Sequence, residues 1–324
     1  MRIVIVGMGV IGRVHLKSLC ALGTPPVAVC DVDVEKARAA LLEAGLDLPV
    51  YGDYQAVLCD LAPDAVHICT PHYCHADMVV AALEKNVHVL CEKPLAISEQ
   101  GLSRVLAAEA SSTAQLGVCQ QNRYNAATLF FKDYIKDKPV LAAHGSVVWH
   151  RSRDYYRSGA WRGKWKTEGG GVMINQALHT LDLCQWLLGT PTAVTGQIAT
   201  MALGDTVEVE DTVMAHFEGP VPFSFFATVG ATASMSATVS VKLEQGELCL
   251  WPHRVTLNGQ ALFEEPQTVV MGKPCYGIGH VALMRDFYAA IGEKRPFAVN
   301  GATAATVIRL ILALYRSHGA RVVI

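Results

Sequence analysis

The sequence has few charged residues and no strong excess of either sign. Of its 324 residues, 17% are Asp, Glu, Lys or Arg, and the formal net charge is −2 at pH 7. Proteins that bind nucleic acid usually carry a basic patch or stripe, which this composition does not supply. We therefore expect no nucleic-acid partner. The 51% share of hydrophobic residues favours a well-buried α/β protein with further surface covered in an oligomer.

The ten cysteines include no Cys-x-x-Cys pair and are scattered along the chain. In a chain of this size, that pattern favours reduced, buried thiols over a disulfide framework. We therefore expect a cytoplasmic protein.

Long hydrophobic runs are also missing. The uncharged stretch 219–241 is broken by Pro220 and Pro222 and alternates like strands, so it does not resemble a membrane span. The apolar N-terminal residues are soon followed by glycines and Arg13, without a convincing cleavage site. We expect neither a signal peptide nor a membrane partner.

Two parts of the chain differ in their pattern of elements. Over residues 1–122, short apolar strands alternate with helical patterns, which predicts a Rossmann domain with a doubly wound parallel sheet. The strands predicted there are 3–7, 27–31, 65–70, 87–91 and 115–119. Over residues 123–324, consecutive strands dominate and predict an α+β domain with a large, mostly antiparallel sheet. The strands predicted there lie around 140–150, 193–203, 207–218, 221–231 and 235–243, and one helix over about 171–188 interrupts them. This second domain is expected to bind substrate and to form the oligomer.

A glycine-rich turn, Gly7-Met8-Gly9-Val10-Ile11-Gly12, follows the first predicted strand and opens the first predicted helix. Its first two glycines allow a tight turn and close approach of a pyrophosphate, and the third lets the helix pack on the strand. The helix N-terminus offers N–H groups to the anion. A glycine turn in a nucleotide-free α/β protein is the alternative.

Asp31 ends the second predicted strand, 19 residues after Gly12. An acid at this place accepts hydrogen bonds from an adenosine ribose, whereas a 2′-phosphate would face its carboxylate. The sequence therefore predicts NAD as the cofactor. NADP is less favoured but is not excluded by one acid.

Glu92-Lys93-Pro94 ends the apolar strand 87–91 abruptly. An unpaired charge at the edge of a core is costly, and the carboxyl end of a strand in an open α/β sheet is where ligands bind. We therefore expect Lys93 to project into a site, the alternative being a surface lysine in an ordinary turn.

Another strand ends in Thr70-Pro71-His72, with His75 opening the following helix. Thr70 and Pro71 are expected to border the cofactor. His75 is expected either to cap its helix or to face the nicotinamide, and an ordinary helix-start histidine is the alternative. The full set of predicted cofactor-binding residues is Gly7, Gly9, Val10, Ile11, Gly12, Asp31, Thr70, Pro71, His72, His75, Glu92, Lys93, Pro94 and Asn122.

A second glycine run, Gly169-Gly170-Gly171, precedes a predicted helix and is expected to let the backbone approach a ligand closely. Asn175 and His179 are four residues apart and share one helical face. Asp182 is expected to orient the His179 imidazole, which suits proton abstraction from a hydroxyl. No recognised zinc or iron spacing joins His179 to Asp182 or Cys184, so we predict no metal.

Arginine and aromatic residues are dense over 149–157 and 161–165. Aromatic rings stack on sugar faces and arginine binds phosphate or carboxylate, so this composition favours a polyhydroxylated or anionic ligand. A polar loop at a subunit interface is the alternative. The predicted substrate-binding residues are Arg151, Tyr155, Trp161, Arg162, Asn175 and Asp182.

Together these motifs resemble the glucose–fructose oxidoreductase/inositol dehydrogenase/rhizopine catabolism (Gfo/Idh/MocA) family. The resemblance covers nearly the whole chain, and its motifs, in matching order and spacing, are Gly7-x-Gly9-x-x-Gly12, Thr70-Pro71, Glu92-Lys93-Pro94 and Gly169-Gly170-Gly171 followed by Asn175 and His179. It implies that Lys93 lies beside the nicotinamide and the substrate, and that His179 accepts or donates the proton. Many polyol-oxidising members carry Asp at the position of Asn175, which cannot ionise. The surrounding motif looks more like members that act on sugars, sugar acids or nucleotide sugars.

The resemblance implies hydride transfer between NAD and a secondary alcohol of a sugar, sugar acid, cyclitol or nucleotide sugar. His179 would take the hydroxyl proton, Lys93 would stabilise the alkoxide, and Asn175 would hold a neighbouring hydroxyl. Two alternatives are an NAD-dependent glycosidase that works by transient oxidation and elimination, and a catalytically silent regulator that senses a dinucleotide or sugar. The presence of both Lys93 and His179 weighs against the regulator. The alternating apolar residues of the second-domain sheet predict a homodimer or homotetramer.

Overall fold

The structure is a computed structural model that describes residues 1–265 and 279–324. It divides into two compact units. The first contains residues 1–121 and 279–305, and the second contains residues 122–265 and 306–324.

A parallel sheet forms the centre of the first unit. Its strands are β1 Ile3–Val6, β2 Ala28–Cys30, β3 Val50–Tyr51, β4 Ala65–Ile68, β5 His88–Cys91 and β6 Leu116–Val118. Their order in the sheet is β3-β2-β1-β4-β5-β6, and every pairing is parallel. The order reverses between β1 and β4, and the crevice at such a reversal is where open α/β sheets bind ligands.

The predicted Rossmann architecture is confirmed, and β1 and β4 are buried along their whole length, as strands covered on both faces should be. The helices that follow the strands are α1 Val10–Ala21, α2 Val34–Glu43, α3 Tyr54–Ala56, α4 His75–Glu84 and α5 Glu99–Ser111. The sequence prediction missed β3, whose two residues are too few to leave a periodic pattern.

A nine-stranded sheet forms the centre of the second unit. Its strands are β7 Ala142–Val148, β8 Ala193–Ala199, β9 Thr212–Glu218, β10 Phe223–Thr228, β11 Thr238–Leu243, β12 Gly246–Trp251, β13 Arg254–Leu257, β14 Gln260–Glu264 and β15 Arg321–Val323. The order is β14-β13-β12-β11-β7-β10-β9-β8-β15, in which only the pairing of β7 with β10 is parallel among the described strands. The predicted mostly antiparallel sheet is confirmed, although β12, β13, β14 and β15 were not predicted.

The helices of this unit are α6 Ala126–Ile135, α7 Arg153–Arg157, α8 Trp165–Glu168 and α9 Leu178–Leu188. A π-helical turn, Met173–Ala177, leads directly into α9. The sequence predicted one regular helix over 171–188. A π turn is wider than an α turn and is often found at functional sites.

Two C-terminal helices complete the fold: α10 Gly279–Gly292 and α11 Gly301–Ser317. α10 packs on α1 in the first unit, while α11 begins in the first unit and ends in the second. The division after Gln121 lies one residue from the predicted boundary. The prediction of two uninterrupted domains needs correction, because periodicity shows which face of a helix is apolar but not which sheet it covers.

No helix in the described ranges is both long and apolar enough to cross a membrane. The cysteines of the same ranges are free thiols.

Candidate functional site

The glycine turn between β1 and α1 has room for a ligand at one place. A Cβ added at Gly7, where φ is +94°, would lie 2.6 Å from the Cys69 carbonyl oxygen, and one at Gly12 would lie 1.9 Å from that of Gly7. These two glycines are therefore required by the turn itself. At Gly9, a Cβ would meet no atom within 4 Å, and no side chain caps the helix that begins there. The open helix N-terminus fits a pyrophosphate.

Asp31 supports this turn from the end of β2. Its Oδ2 accepts a hydrogen bond from the Met8 backbone N–H at 2.7 Å, and its Oδ1 accepts one from the Asp33 backbone N–H at 2.9 Å. Each carboxylate oxygen has a second lone pair, so these bonds are compatible with the predicted contact to a ribose hydroxyl.

Lys93 is half-buried at the end of β5, and Glu92 lies in the core beneath it. Glu92 Oε1 lies 3.1 Å from His15 Nε2 and 3.5 Å from His280 Nε2, and its Oε2 accepts a bond from the Lys93 N–H at 3.2 Å. Burial would raise the pKa of Glu92, but the two histidines outweigh it and hold the pKa well below its usual value. The prediction that Glu92 binds the cofactor is corrected: its carboxylate is interior and supports the Lys93 loop.

A chain of side chains continues inward from Glu92. His15 Nδ1 lies 2.8 Å from His67 Nδ1, and His67 Nε2 lies 2.5 Å from the Tyr288 hydroxyl. Burial lowers the pKa of both histidines, which favours their neutral forms. With both imidazoles neutral, all three contacts can be hydrogen bonds. The Tyr288 hydroxyl then donates to His67, the His67 ring donates to His15, and the His15 ring donates to Glu92. Sequence reasoning missed this network, because single buried histidines carry no pattern.

Cys119 Sγ also lies 3.7 Å from His15 Nε2. His15, Glu92 and Cys119 therefore bring three metal-binding groups within 4.8 Å of one another. Burial raises the pKa of the Cys119 thiol well above its usual value. His15 and Glu92 of this cluster already contact each other, and the buried Cys119 thiol would have to release its proton to bind a metal.

His75 joins two of the predicted cofactor loops. The imidazole is fully buried, with Nδ1 2.7 Å from the Pro94 carbonyl oxygen and Nε2 2.8 Å from that of Thr70. Cys74 is the N-cap residue of α4, and no side chain caps that end. The prediction that His75 caps the helix is wrong: its imidazole holds the ends of β4 and β5 together, and its contact with the cofactor stays a prediction. His72 is also buried, in a 3₁₀ turn before α4.

Asn122, the last predicted cofactor residue, is half-buried in the 3₁₀ turn Gln121–Tyr124, where the second unit begins.

Three of the predicted substrate-binding residues cluster around a fourth, Tyr155, in the second unit. Arg162 Nη1 donates to the Tyr155 hydroxyl at 2.6 Å, and its guanidinium lies 4.4 Å from the ring centres of both Tyr155 and Trp161. The Arg151 guanidinium lies 5.2 Å from the Tyr155 ring. The Ser152 side chain caps α7 and so fixes the backbone that carries Tyr155. This group of cations and aromatic rings fits a sugar or an anion.

Asn175, in the π turn, adjoins this group. Its Nδ2 lies 3.4 Å from the Tyr155 hydroxyl and donates to the buried Glu168 carboxylate. Gln176 Nε2 lies 3.3 Å from the same hydroxyl. Glu168 was not predicted, because a glutamate in a short polar segment has no distinguishing sequence signal.

The glycine run before the π turn makes room for the protein's own atoms. A Cβ at Gly170 would lie 2.0 Å from the Tyr315 hydroxyl, and one at Gly171 would lie 1.8 Å from the Glu210 carbonyl oxygen. The Glu210 carboxylate accepts bonds from Gly171 N–H at 2.7 Å, Met173 N–H at 3.0 Å and the Tyr315 hydroxyl at 2.9 Å. Contacts within the protein therefore account for Gly170 and Gly171, while close approach of a ligand to the glycine run stays a prediction. Burial raises the pKa of Glu210 to about 7.

Asp182 also differs from its prediction. It is 1% exposed, and its two oxygens accept bonds from Arg123 Nε at 2.7 Å and Nη2 at 2.5 Å. A buried guanidinium needs a carboxylate partner, and this bidentate pair occupies Asp182. The predicted substrate contact of Asp182 is corrected, and the prediction that it orients His179 has no support in these bonds. His179 itself is half-buried on the first turn of α9.

Curated dehydrogenases are similar to part of this chain. Inositol 2-dehydrogenase of Salmonella typhimurium is 32% identical over 189 residues, covering 57% of this chain and 53% of that protein. D-glucoside 3-dehydrogenase of Escherichia coli is 30% identical over 203 residues, covering 59% and 55%. The chain thus matches about half the length of these curated relatives.

Among solved structures, the WlbA dehydrogenase of Bordetella pertussis, in complex with NADH and UDP-GlcNAcA, is 25% identical with a TM-score of 0.88. The comparison covers 100% of this chain and 97% of that one. Levoglucosan dehydrogenase, solved with NADH and levoglucosan, has a TM-score of 0.88 at 22% identity and covers 100% and 99%, which shows a common fold.

Two family models match most of the chain. Residues 1–120 match the oxidoreductase family with an NAD-binding Rossmann fold, and residues 139–260 match the Gfo/Idh/MocA C-terminal domain. The match of residues 1–120 confirms the predicted nicotinamide cofactor. The role of Asp31 in selecting NAD over NADP stays a prediction. With both domains matched in order, the chain belongs to the Gfo/Idh/MocA oxidoreductase family.

Proposed function

We propose that the protein is an NAD-dependent dehydrogenase that oxidises a secondary alcohol of a polyhydroxylated substrate. The observation that carries this proposal is the group of Arg151, Trp161 and Arg162 around Tyr155, with the Asn175 amide beside it. Cations and aromatic faces at this density suit a sugar, a sugar acid, a cyclitol or a nucleotide sugar. The curated relatives act on inositol and glucosides, which is consistent with this class.

The proposed roles follow from the chemistry of each side chain. NAD, when bound, accepts the hydride from the alcohol carbon. His179, half-buried on the first turn of α9, takes the hydroxyl proton, because an imidazole nitrogen serves as a general base for bound hydroxyls. The Lys93 ammonium stabilises the alkoxide that forms as the proton leaves. Its loop is braced by Glu92 from the core and is tied to the end of β4 by His75.

The test is absorbance at the NADH band with NAD or NADP and a panel of cyclitols, aldoses, sugar acids and nucleotide sugars. NADH formed with one class identifies substrate and cofactor together. NADPH formation as efficient as NADH formation would contradict the role given to Asp31. If no panel compound gives NADH absorbance although NADH binds tightly, the proposal is overturned. The remaining candidates are then a glycosidase that regenerates its own NAD in each cycle and a regulator without activity. Glycoside cleavage without net NADH distinguishes these two.

We also propose that the protein assembles as a homodimer or homotetramer and works in the cytoplasm. Exposed Met214 on β9 lies opposite half-buried Phe226 on β10, and a second copy of the chain would cover these apolar side chains. A monomer mass by light scattering would contradict it.

A further inference from the structure

The segment 149–165 carries four arginines, which fall into two pairs. Arg153 and Arg157 are exposed, and each forms an ion pair with an aspartate. Arg151 and Arg162 are half-buried, and neither forms an ion pair in the described part of the chain. The arginines that are better shielded from water are therefore the ones that lack a carboxylate.

Arg151 and Arg162 adjoin one aromatic ring. Their guanidinium carbons lie 5.2 Å and 4.4 Å from the centre of the Tyr155 ring. Arg162 Nη1 donates to the Tyr155 hydroxyl at 2.6 Å, and Arg151 Nη1 donates to a neighbouring backbone carbonyl oxygen at 3.0 Å. The Arg151 Nε is buried without a hydrogen-bond acceptor among the described residues. Since a guanidinium has five N–H groups, the protein uses only a minority of the donors of these two side chains.

A half-buried cation without an anion is costly, because burial removes part of its hydration. Contacts with aromatic rings offset some of this cost and hold the guanidinium in place. They do not use its N–H donors, which lie in one plane and match the oxygens of a carboxylate or a phosphate. An anion from outside the chain would complete Arg151 and Arg162, as the aspartates complete the exposed pair.

We propose that Arg151 and Arg162 bind an anionic group of the substrate, a carboxylate or a phosphate. The protein then selects a sugar acid or a nucleotide sugar over a neutral sugar or cyclitol. The inference rests on the proposed function, which it deepens by naming the substrate class. The anionic group keeps its charge while the hydride is transferred, so the two arginines bind substrate and transition state alike and act mainly on KM.

The first test compares charged and neutral substrates on wild type. NADH formation is measured with glucose, glucuronic acid and UDP-glucose, and with the corresponding galactose set. We expect kcat/KM for at least one anion to exceed that for its neutral sugar by about 100-fold, because the neutral sugar leaves both cations without a partner. The preferred anion shows whether the bound group is a carboxylate or a phosphate. Equal kcat/KM for the neutral sugar and both anions would overturn the proposal.

Substitutions then assign the preference to the two arginines. Arg151→Met and Arg162→Met each remove a charge but keep a long side chain. Each should lower the ratio of kcat/KM for the anion to that for the neutral sugar about tenfold, mostly through KM, and the double variant should lower it about 100-fold. Because the ratio compares two substrates on one protein, a loss of folded enzyme cancels.

The control is Arg157→Met, which removes an exposed arginine of the same segment and should keep the wild-type ratio. Arg151→Lys and Arg162→Lys retain the charge without the planar fork and should fall between wild type and the Met variants. A double Met variant with the wild-type ratio would overturn the proposal.

Ionic strength gives an independent readout. At saturating NAD, kcat/KM of wild type for the anion should fall several-fold between low and high salt, because screening weakens the attraction of the two cations. The double Met variant should lose most of this dependence. The same salt dependence in both proteins would contradict the assignment of the anion to Arg151 and Arg162.

Binding measurements separate this inference from the proposed function. If wild type oxidises none of these compounds, hydride transfer is not supported, and calorimetry is used with glucuronate and with UDP on wild type, the double Met variant and Arg157→Met. Binding that only the double variant loses supports the anion site without the dehydrogenase assignment. Binding that is absent from wild type, or unchanged in the double variant, would overturn the inference.

Discussion

Each unit has a helix that begins after a glycine run, but the two runs serve different purposes. In the first unit, a Cβ at Gly9 would meet nothing within 4 Å, and the N-terminus of α1 has no side-chain cap. In the second unit, Gly170 and Gly171 are in contact with Tyr315 and Glu210. The first helix N-terminus is left open for an anion, whereas the second is closed by a carboxylate of the protein itself.

A glycine run before a helix therefore does not identify a ligand site by itself. Gly9 would tolerate a side chain sterically, so the lack of one points to a ligand outside the chain. Gly171 would not, so the fold alone accounts for it. A substitution at Gly9 should therefore weaken cofactor binding, whereas a substitution at Gly171 should reduce the stability of the fold.

The largest effect is expected for Gly171→Ala. The added Cβ would lie 1.8 Å from the backbone oxygen of Glu210, which cannot move without displacing the start of the helix that carries Asn175. We expect a loss of roughly 3 kcal/mol or more in the free energy of unfolding. Urea unfolding measures this, and a variant as stable as wild type would contradict the close contact.

The carboxylate that closes the second helix should make stability depend on pH. The pKa of Glu210 is raised from 4.5 to about 7 in the folded protein, so the folded state holds a proton between these values that the unfolded state has released. This contribution is fully present below the unfolded pKa and is lost as the pH rises through 7. Relative to Glu210→Gln, wild type should lose on the order of 2–3 kcal/mol between pH 4.5 and 7.5. Parallel stability curves for the two proteins would contradict this, and Glu208→Gln, at an exposed neighbour, is the control.

At the first unit, Lys93→Met should separate chemistry from cofactor binding. We expect kcat to fall by more than about tenfold, because the alkoxide loses its stabilising charge, while NADH binding changes little. Fluorescence titration gives the NADH affinity, and Lys85→Met, at an exposed lysine of the same unit, is the matched control. Near-normal turnover in Lys93→Met would remove Lys93 from the mechanism.

The smallest effect is expected for Gly9→Ala, the counterpart of Gly171→Ala. Because Gly9 has φ −68° and its Cβ would meet open space, the free energy of unfolding should stay within about 0.5 kcal/mol of wild type. The NAD Kd should rise about tenfold, since the methyl group occupies space needed by the pyrophosphate. If Gly9→Ala lost stability but kept its affinity for NAD, Gly9 would be required by the fold and not by the cofactor.

The sequence predicted those parts of the candidate site that can be located from the residue type and its position at the end of a strand. The glycine turn, Asp31 and Lys93 follow buried strands of a parallel sheet, and parallel strands bring their carboxyl ends to one edge. Arg151, Tyr155, Trp161 and Arg162 were predicted from composition alone, and the fold brings them together. The assignments of Glu92 and Asp182 needed correction for a common reason: each carboxylate lies in the interior, and its charged or hydrogen-bonding partner is distant in the chain.

By itself, the sequence determined the two sheet types and the nucleotide-binding turn, because apolar periodicity and glycine spacing are local properties of the chain. Only the tertiary structure decided which polar residues face inward. His280 reaches Glu92 across 188 residues of sequence and Arg123 reaches Asp182 across 59, and these partners satisfy charges that would otherwise be buried alone. The contact between Asn175 and the buried Glu168 carboxylate belongs to the same category, since neither residue type indicates it in the sequence.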